Sequence, residues 1–227
     1  MLYTPMDYTW DIFNRLPLFE DAQQALSKDL IQTSEVSMLR DLFRRHNLHT
    51  RLGLIMLHRH FSVYSGEKVV EYNGVATPWD VGDATEVFGG RLVPRCWAFF
   101  DGKLCPTEFK FEPPRRGAAP NVTEFPSEFV DEFFNFISKR GLDGLLGLTV
   151  FDSVGGFSGP REAERTVGRV SITLPVDMWT REFEEGVEGT EPTETAWTFG
   201  CHESMDDSGL MNARICWVCH ECCPPSR

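Results

Sequence analysis

The sequence predicts an α+β fold: a largely antiparallel sheet of about six to eight strands with about three helices, in one domain. Three observations predict it. Strand-like runs come in blocks instead of alternating strictly with helices. Asp101-Gly102, between Cys96–Phe100 and Lys103–Phe111, is the two-residue turn that matches strand twist. Apolar residues at helical spacing are confined to three stretches, and no Pro/Gly-rich linker divides the chain.

Residues 1–17 read as an irregular arm broken by Pro5 and Pro17, with Tyr3, Tyr8, Trp10, Ile12 and Phe13 to pack on the body. A first helix is expected from Leu18 to about Leu30, since Leu18, Ala22 and Leu26 share a face and Glu20 and Asp21 suit the first turn. A second is expected over Glu35–His46, capped by Ser34 and ended by Asn47. Leu52–Phe61 reads as the central strand, covered on both sides at its start, with Leu52, Leu54, Met56, His58 and His60 on one face. Lys68–Tyr72 is a short strand, and residues 73–94 read as a loop because of Pro78, Gly82, Gly89, Gly90 and Pro94. The third helix follows Ser127 as its cap. Phe129, Phe133, Phe136 and Ile137 make its stripe, and Gly141 stops it. Leu145–Asp152, Arg169–Pro175, Thr195–Gly200 and Ala213–Cys219 complete the strands, and 224–227 form a tail.

The formal net charge of -12 disfavours nucleic acid at long range and favours cations. No run of eighteen apolar residues suggests a membrane span, and the first residues carry no signal-peptide pattern. A cytoplasmic, acidic protein with no membrane partner is therefore expected. Of seven cysteines, five lie between Cys201 and Cys223, so free or metal-bound thiols are expected rather than a disulfide framework. The glycines of 154–159 spell neither a phosphate-binding loop nor a dinucleotide fingerprint.

Three constellations can carry chemistry. His58 and His60, two apart on one strand face, can bind one metal together, and a carboxylate would complete a facial triad. Cys201-His202-Glu203 places a thiol beside an imidazole and a carboxylate. With His58 or His60 as base and Glu203 or Glu108 orienting it, the set follows the thiolate, base and orienter logic of acyl transfer. Cys216-x-x-Cys219 and Cys219-x-x-Cys222 have zinc-ligand spacing, and Cys201-His202 lies upstream as a further ligand pair. Each has an ordinary structural alternative: strand-end histidines bonded to carboxylates, a hairpin-tip cysteine, and a thiol-rich strand.

Gly53, His58-x-His60, Glu67 and Gly74 together resemble the first motif of the cupins, which implies a metal on the histidines. Gly53 stands one residue nearer His58 than that motif has it, Glu67 falls later, and no second motif with a further histidine follows. The Leu57–Phe61 segment resembles that of small, single-domain fungal proteins of unassigned function, which implies no activity.

The expected function is a small intracellular enzyme of small-molecule, including secondary, metabolism. It would use the Cys/His site for acyl or aminoacyl transfer. With no nucleotide motif, its substrate must arrive activated, and a tRNA-dependent cyclodipeptide synthase fits by size. The acidic balance disfavours tRNA as partner but suits a small cationic substrate such as arginine. The alternatives are a metal-dependent enzyme on His58-x-His60 and a zinc-stapled, non-catalytic interaction module.

Overall fold

The structure is a computed structural model that describes residues 1–26, 33–80, 89–114, 124–151, 162–178, 193–199 and 211–216; for residues 33, 34, 36, 177 and 211–216 it describes the backbone alone. Its helices are α1 (Trp10–Asn14), α2 (Phe19–Leu26), α3 (Thr33–Arg45) and α4 (Ser127–Ser138). Its strands are β1 (Leu2–Tyr3), β2 (Leu52–Met56), β3 (Glu67–Tyr72), β4 (Val75–Asp80), β5 (Arg91–Phe100), β6 (Lys103–Glu112), β7 (Phe125–Pro126), β8 (Leu146–Val150), β9 (Glu162–Val167), β10 (Val170–Pro175), β11 (Thr193–Thr198) and β12 (Met211–Cys216).

The fold is mostly sheet with a few helices, as the sequence indicates, but the sheet differs in kind from the one expected. Ten strands close into a barrel in the order β10-β4-β3-β6-β5-β8-β2-β11-β12-β9, with β9 pairing back to β10. The barrel is mixed: β3 runs parallel to β6 and β12 parallel to β9. The strand count exceeds expectation for two local reasons. Residues 73–94, read as a loop, contain β4 and the start of β5, because Pro78 and Pro94 are tolerated within these strands. Glu162–Val167, read only as charged residues after a glycine-rich loop, is a strand with Glu162, Glu164 and Thr166 on one face and Ala163 and Arg165 on the other.

Tight turns build the hairpins. Asn73-Gly74 and Asp101-Gly102 take positive φ at both positions, as a two-residue turn of this hand requires. Asn47 and Gly141 take positive φ just beyond their helices, as expected. Ser127 is not the cap of α4: Pro126 holds that position without a side-chain cap bond, and the Ser127 hydroxyl donates to the Met1 carbonyl at 3.2 Å. That bond ties down the β1–β7 pair. The supposedly irregular arm holds β1 and α1.

The central strand is shorter than expected. β2 ends at Met56, and every one of its residues is buried. One face, Leu52, Leu54 and Met56, joins Trp97, Leu148 and Trp197 beneath an outer layer of α2, α3 and α4. Phe19, Phe43, Phe129 and Phe133 are the large side chains of that layer. The other face, with Ile55 and then Leu57, points into the barrel and meets Phe13 and Leu16 at its α1 end. Burial on both faces is why the strand reads as continuously apolar.

Candidate functional site

The barrel interior carries polar side chains beside apolar ones such as Ile55, Leu57 and Val69, and three irregularities in the strands help to place the polar ones. In β5, Pro94 pairs with Phe109 and Cys96 with Glu108, so Arg95 has no ladder partner. In β6, Glu108 and Pro106 take successive partners, which leaves out Thr107. In β11, Glu194 and Ala196 pair with the adjacent Ile215 and Arg214, which leaves out Thr195. A bulge breaks the two-residue alternation and re-aims the extra side chain. Arg95 with Cys96, and Thr107 with Glu108, are therefore neighbours in sequence that line the same interior cavity, which Thr195 also lines.

Three carboxylates and two guanidiniums line this cavity among the described residues: Glu71, Glu108 and Glu164 with Arg95 and Arg59. Arg95 Nη1 donates to Glu71 Oε2 at 3.1 Å, and Glu71 Oε1 accepts the Gly74 N–H at 2.6 Å. The Cys96 thiol donates to Glu108 at 3.5 Å and lies 3.4 Å from the Thr149 hydroxyl. Thr166 and Ser171 share a hydrogen bond of 2.6 Å. Thr195 is 1% exposed, and its hydroxyl has no partner among the described residues.

His58 and His60 stand where the barrel is closed by α1 and the segment after β2. The Arg59 N–H donates to the Pro17 carbonyl at 2.8 Å, and Arg59 Nε donates to the Leu16 carbonyl at 3.0 Å. Asn14 brackets Val63, donating to its carbonyl at 2.8 Å and accepting its N–H at 2.9 Å. The two imidazoles meet edge to face at 4.9 Å, and Phe19 stacks on His60 at 5.2 Å. They come together through this folded-over segment, not by sharing a strand face. His58 Nδ1 bonds the Met56 carbonyl at 2.9 Å. Burial, reinforced by His58 and opposed by Glu164, lowers the pKa of His60 to about 4, so the ring is neutral at pH 7.

Beyond the cavity lies a second, open one of about 740 Å³, at the end of the barrel that carries the Asn73-Gly74 turn. Glu71, Arg95 and Thr173 line both. The enclosed part holds only about 40 Å³, room for a water or a compact head group. A ligand that fits both cavities is elongated, with one polar end inside.

Of the residues singled out in sequence, the structure brings His58, His60 and Glu108 to one cavity. Cys201, His202, Glu203, Cys219 and Cys222 lie outside the described residues. Cys216 ends β12, its backbone opposite Glu164 and Thr193. Gly53 serves packing: a Cβ there would lie 2.2 Å from the Trp197 carbonyl oxygen and 2.3 Å from the Phe151 ring. Among the described residues no group of three or more His, Cys, Asp or Glu side chains is placed to hold a metal ion. Sequence reasoning missed Arg95, Glu71, Glu164 and Thr195. For Glu164 the available signal was the run Glu162-Ala-Glu-Arg-Thr, in which Glu162, Glu164 and Thr166 fall on one face of a strand. No described helix is long and apolar enough to cross a membrane. Comparison with known proteins found no match, whether to a family model, a curated protein or a solved structure.

Proposed function

We propose that this chain handles a small cationic molecule whose charged head enters the barrel. The observation that carries the reading is the interior charge: three carboxylates face two guanidiniums, Arg95 and Arg59, the latter tied to the Leu16 carbonyl and the Ser62 hydroxyl, beside a neutral imidazole and a hydroxyl with no partner among the described residues. A guanidinium or ammonium head supplies only donors, and Glu108, Glu164, His60 and the Thr195 hydroxyl can all accept. A buried cation is tolerated where it meets such partners.

The enzymatic form of this reading is acyl or aminoacyl transfer to or from that cation. It needs a thiolate, and neither described buried cysteine suits the role. The Cys96 thiol is already engaged as a donor to the Glu108 carboxylate, and burial pushes the Cys105 thiol up. The transfer reading therefore rests on Cys201.

Calorimetric titration with agmatine, putrescine, butyrate and glucose tests the proposal. Agmatine or putrescine should bind, butyrate and glucose should not bind inside the barrel, and Glu108→Gln or Glu164→Gln should weaken cation binding about tenfold or more. Cation affinity that both substitutions leave unchanged would overturn the reading.

A further inference from the structure

Arg95 uses less of its fork than Arg91, Arg140, Arg169 and Arg59 do. Arg91 contacts Glu112 through Nε and Nη2 at 2.7 and 2.6 Å. Arg140 bonds Glu35 and the Phe136 carbonyl, Arg169 bonds Glu67 and the Ser62 carbonyl, and Arg59 bonds the Leu16 carbonyl and the Ser62 hydroxyl. The Arg95 side chain is 13% exposed, yet among the described residues Glu71 is its one hydrogen-bond partner. A guanidinium carries five N–H donors in a planar fork suited to carboxylates and phosphates. A bulge aims this fork at the boundary between the enclosed and open cavities. Burying a half-used fork is costly unless an acceptor arrives.

We infer that Arg95 anchors an oxyanion at the floor of the open cavity, so that the ligand is a zwitterion of the basic α-amino-acid class, carboxylate on Arg95 and cationic end inside the barrel. The cationic end rests on the function proposed above; the carboxylate anchor does not. The spacing suits such a molecule. Glu71 pairs with Lys110 and Val69 with Glu108, so the Glu71–Arg95 level lies two residues from Glu108, about 7 Å along the strands. A basic amino acid in extended form covers that distance. Glu71 then does two things: it positions Arg95, and through the Gly74 N–H it holds the turn at the rim of the open cavity.

The test compares L-arginine, agmatine (the same cation without the carboxylate), butyrate and inorganic phosphate on the wild type and on Arg95→Met. The wild type should bind L-arginine about tenfold or more tightly than agmatine. Arg95→Met should bring the two affinities within about twofold by weakening L-arginine alone. Because Arg95→Met leaves Glu71 without its partner, the double variant Glu71→Gln/Arg95→Met provides the folding control. It should melt near the wild type and still lack the preference. Equal binding of L-arginine and agmatine by the wild type overturns the carboxylate anchor and leaves the cationic reading standing. Butyrate that binds the wild type but not Arg95→Met, with no agmatine binding, supports the anchor and overturns the cationic reading. Phosphate binding more tightly than any carboxylate assigns the fork to phosphate esters and overturns the amino-acid class. Absence of binding by all four overturns both.

Discussion

Inside the barrel, His60 couples the site to stability through its proton. Its folded pKa of about 4 lies below the ordinary 6.5, because burial and the neighbouring His58 disfavour the charged ring. Between those values the unfolded chain binds a proton that the folded ring refuses. Stability is therefore greatest above pH 6.5, falls as pH drops towards 4, and is not lost further by this group below that. The effect is on the order of 3 kcal/mol. Denaturant unfolding of wild type and His60→Gln between pH 4 and 7 should show a shallower pH slope in the variant. Equal slopes would place the acid sensitivity elsewhere. At the same end of the barrel, Arg169 donates to Glu67 and pulls its carboxyl below the usual carboxylate range, while burial and the Glu67 and Asp11 charges push the Tyr8 hydroxyl up. Tyr8 thus stays a donor, and its hydroxyl bonds the Glu67 carbonyl at 3.0 Å.

Between elements, close approach of strands decides which small residues are required. Gly147 of β8 faces the Trp97 carbonyl of β5, and a Cβ there would lie 2.3 Å from that oxygen and 2.6 Å from Leu57 Cδ2. The oxygen belongs to backbone in a closed ring and cannot swing aside. Gly147→Ala should therefore destabilise by about 2–4 kcal/mol, read as a lower urea midpoint with an unchanged slope. A loss under about 0.5 kcal/mol would mean that β5 and β8 separate more readily than the ring implies. The bulges at Arg95 and Thr195 are the opposite device, in which an added residue redirects a polar side chain inward.

Across the molecule, one wall of the barrel depends on its helical cover. Phe129 of α4 is fully buried, edge-on to Phe43 of α3 at 5.1 Å and stacked with Phe133 at 6.0 Å. Phe129→Ala should lower unfolding stability by about 3–5 kcal/mol, since helices and strands leave a cavity between them that cannot close fully. In the fraction that stays folded, binding inside the barrel should persist, because the site lies on the other face of β2. Loss of binding without loss of stability would show instead that the helical layer shapes the interior directly.

The residues that determine local structure could be read in order along the chain. Asp101-Gly102 reads as a hairpin turn because only certain residues accept positive φ. Phe129, Phe133 and Ile137 read as one helix face because their spacing matches the helical period. The start of the expected Leu52–Phe61 strand reads as buried on both faces because its residues are continuously apolar, and the strand that forms there ends at Met56. Tertiary structure decided the rest. Whether β9 meets β10 and β12 depends on pairings between distant segments, so closure of the barrel leaves no local pattern. His58 and His60 converge because α1 folds the segment after β2 across the end of the barrel. Arg95 and Thr195 point inward because ladder bonds with their neighbours exclude them. Period and turn chemistry are properties of adjacent residues, whereas ring closure, bulges and the enclosed charge depend on strands that meet only when the whole chain is folded.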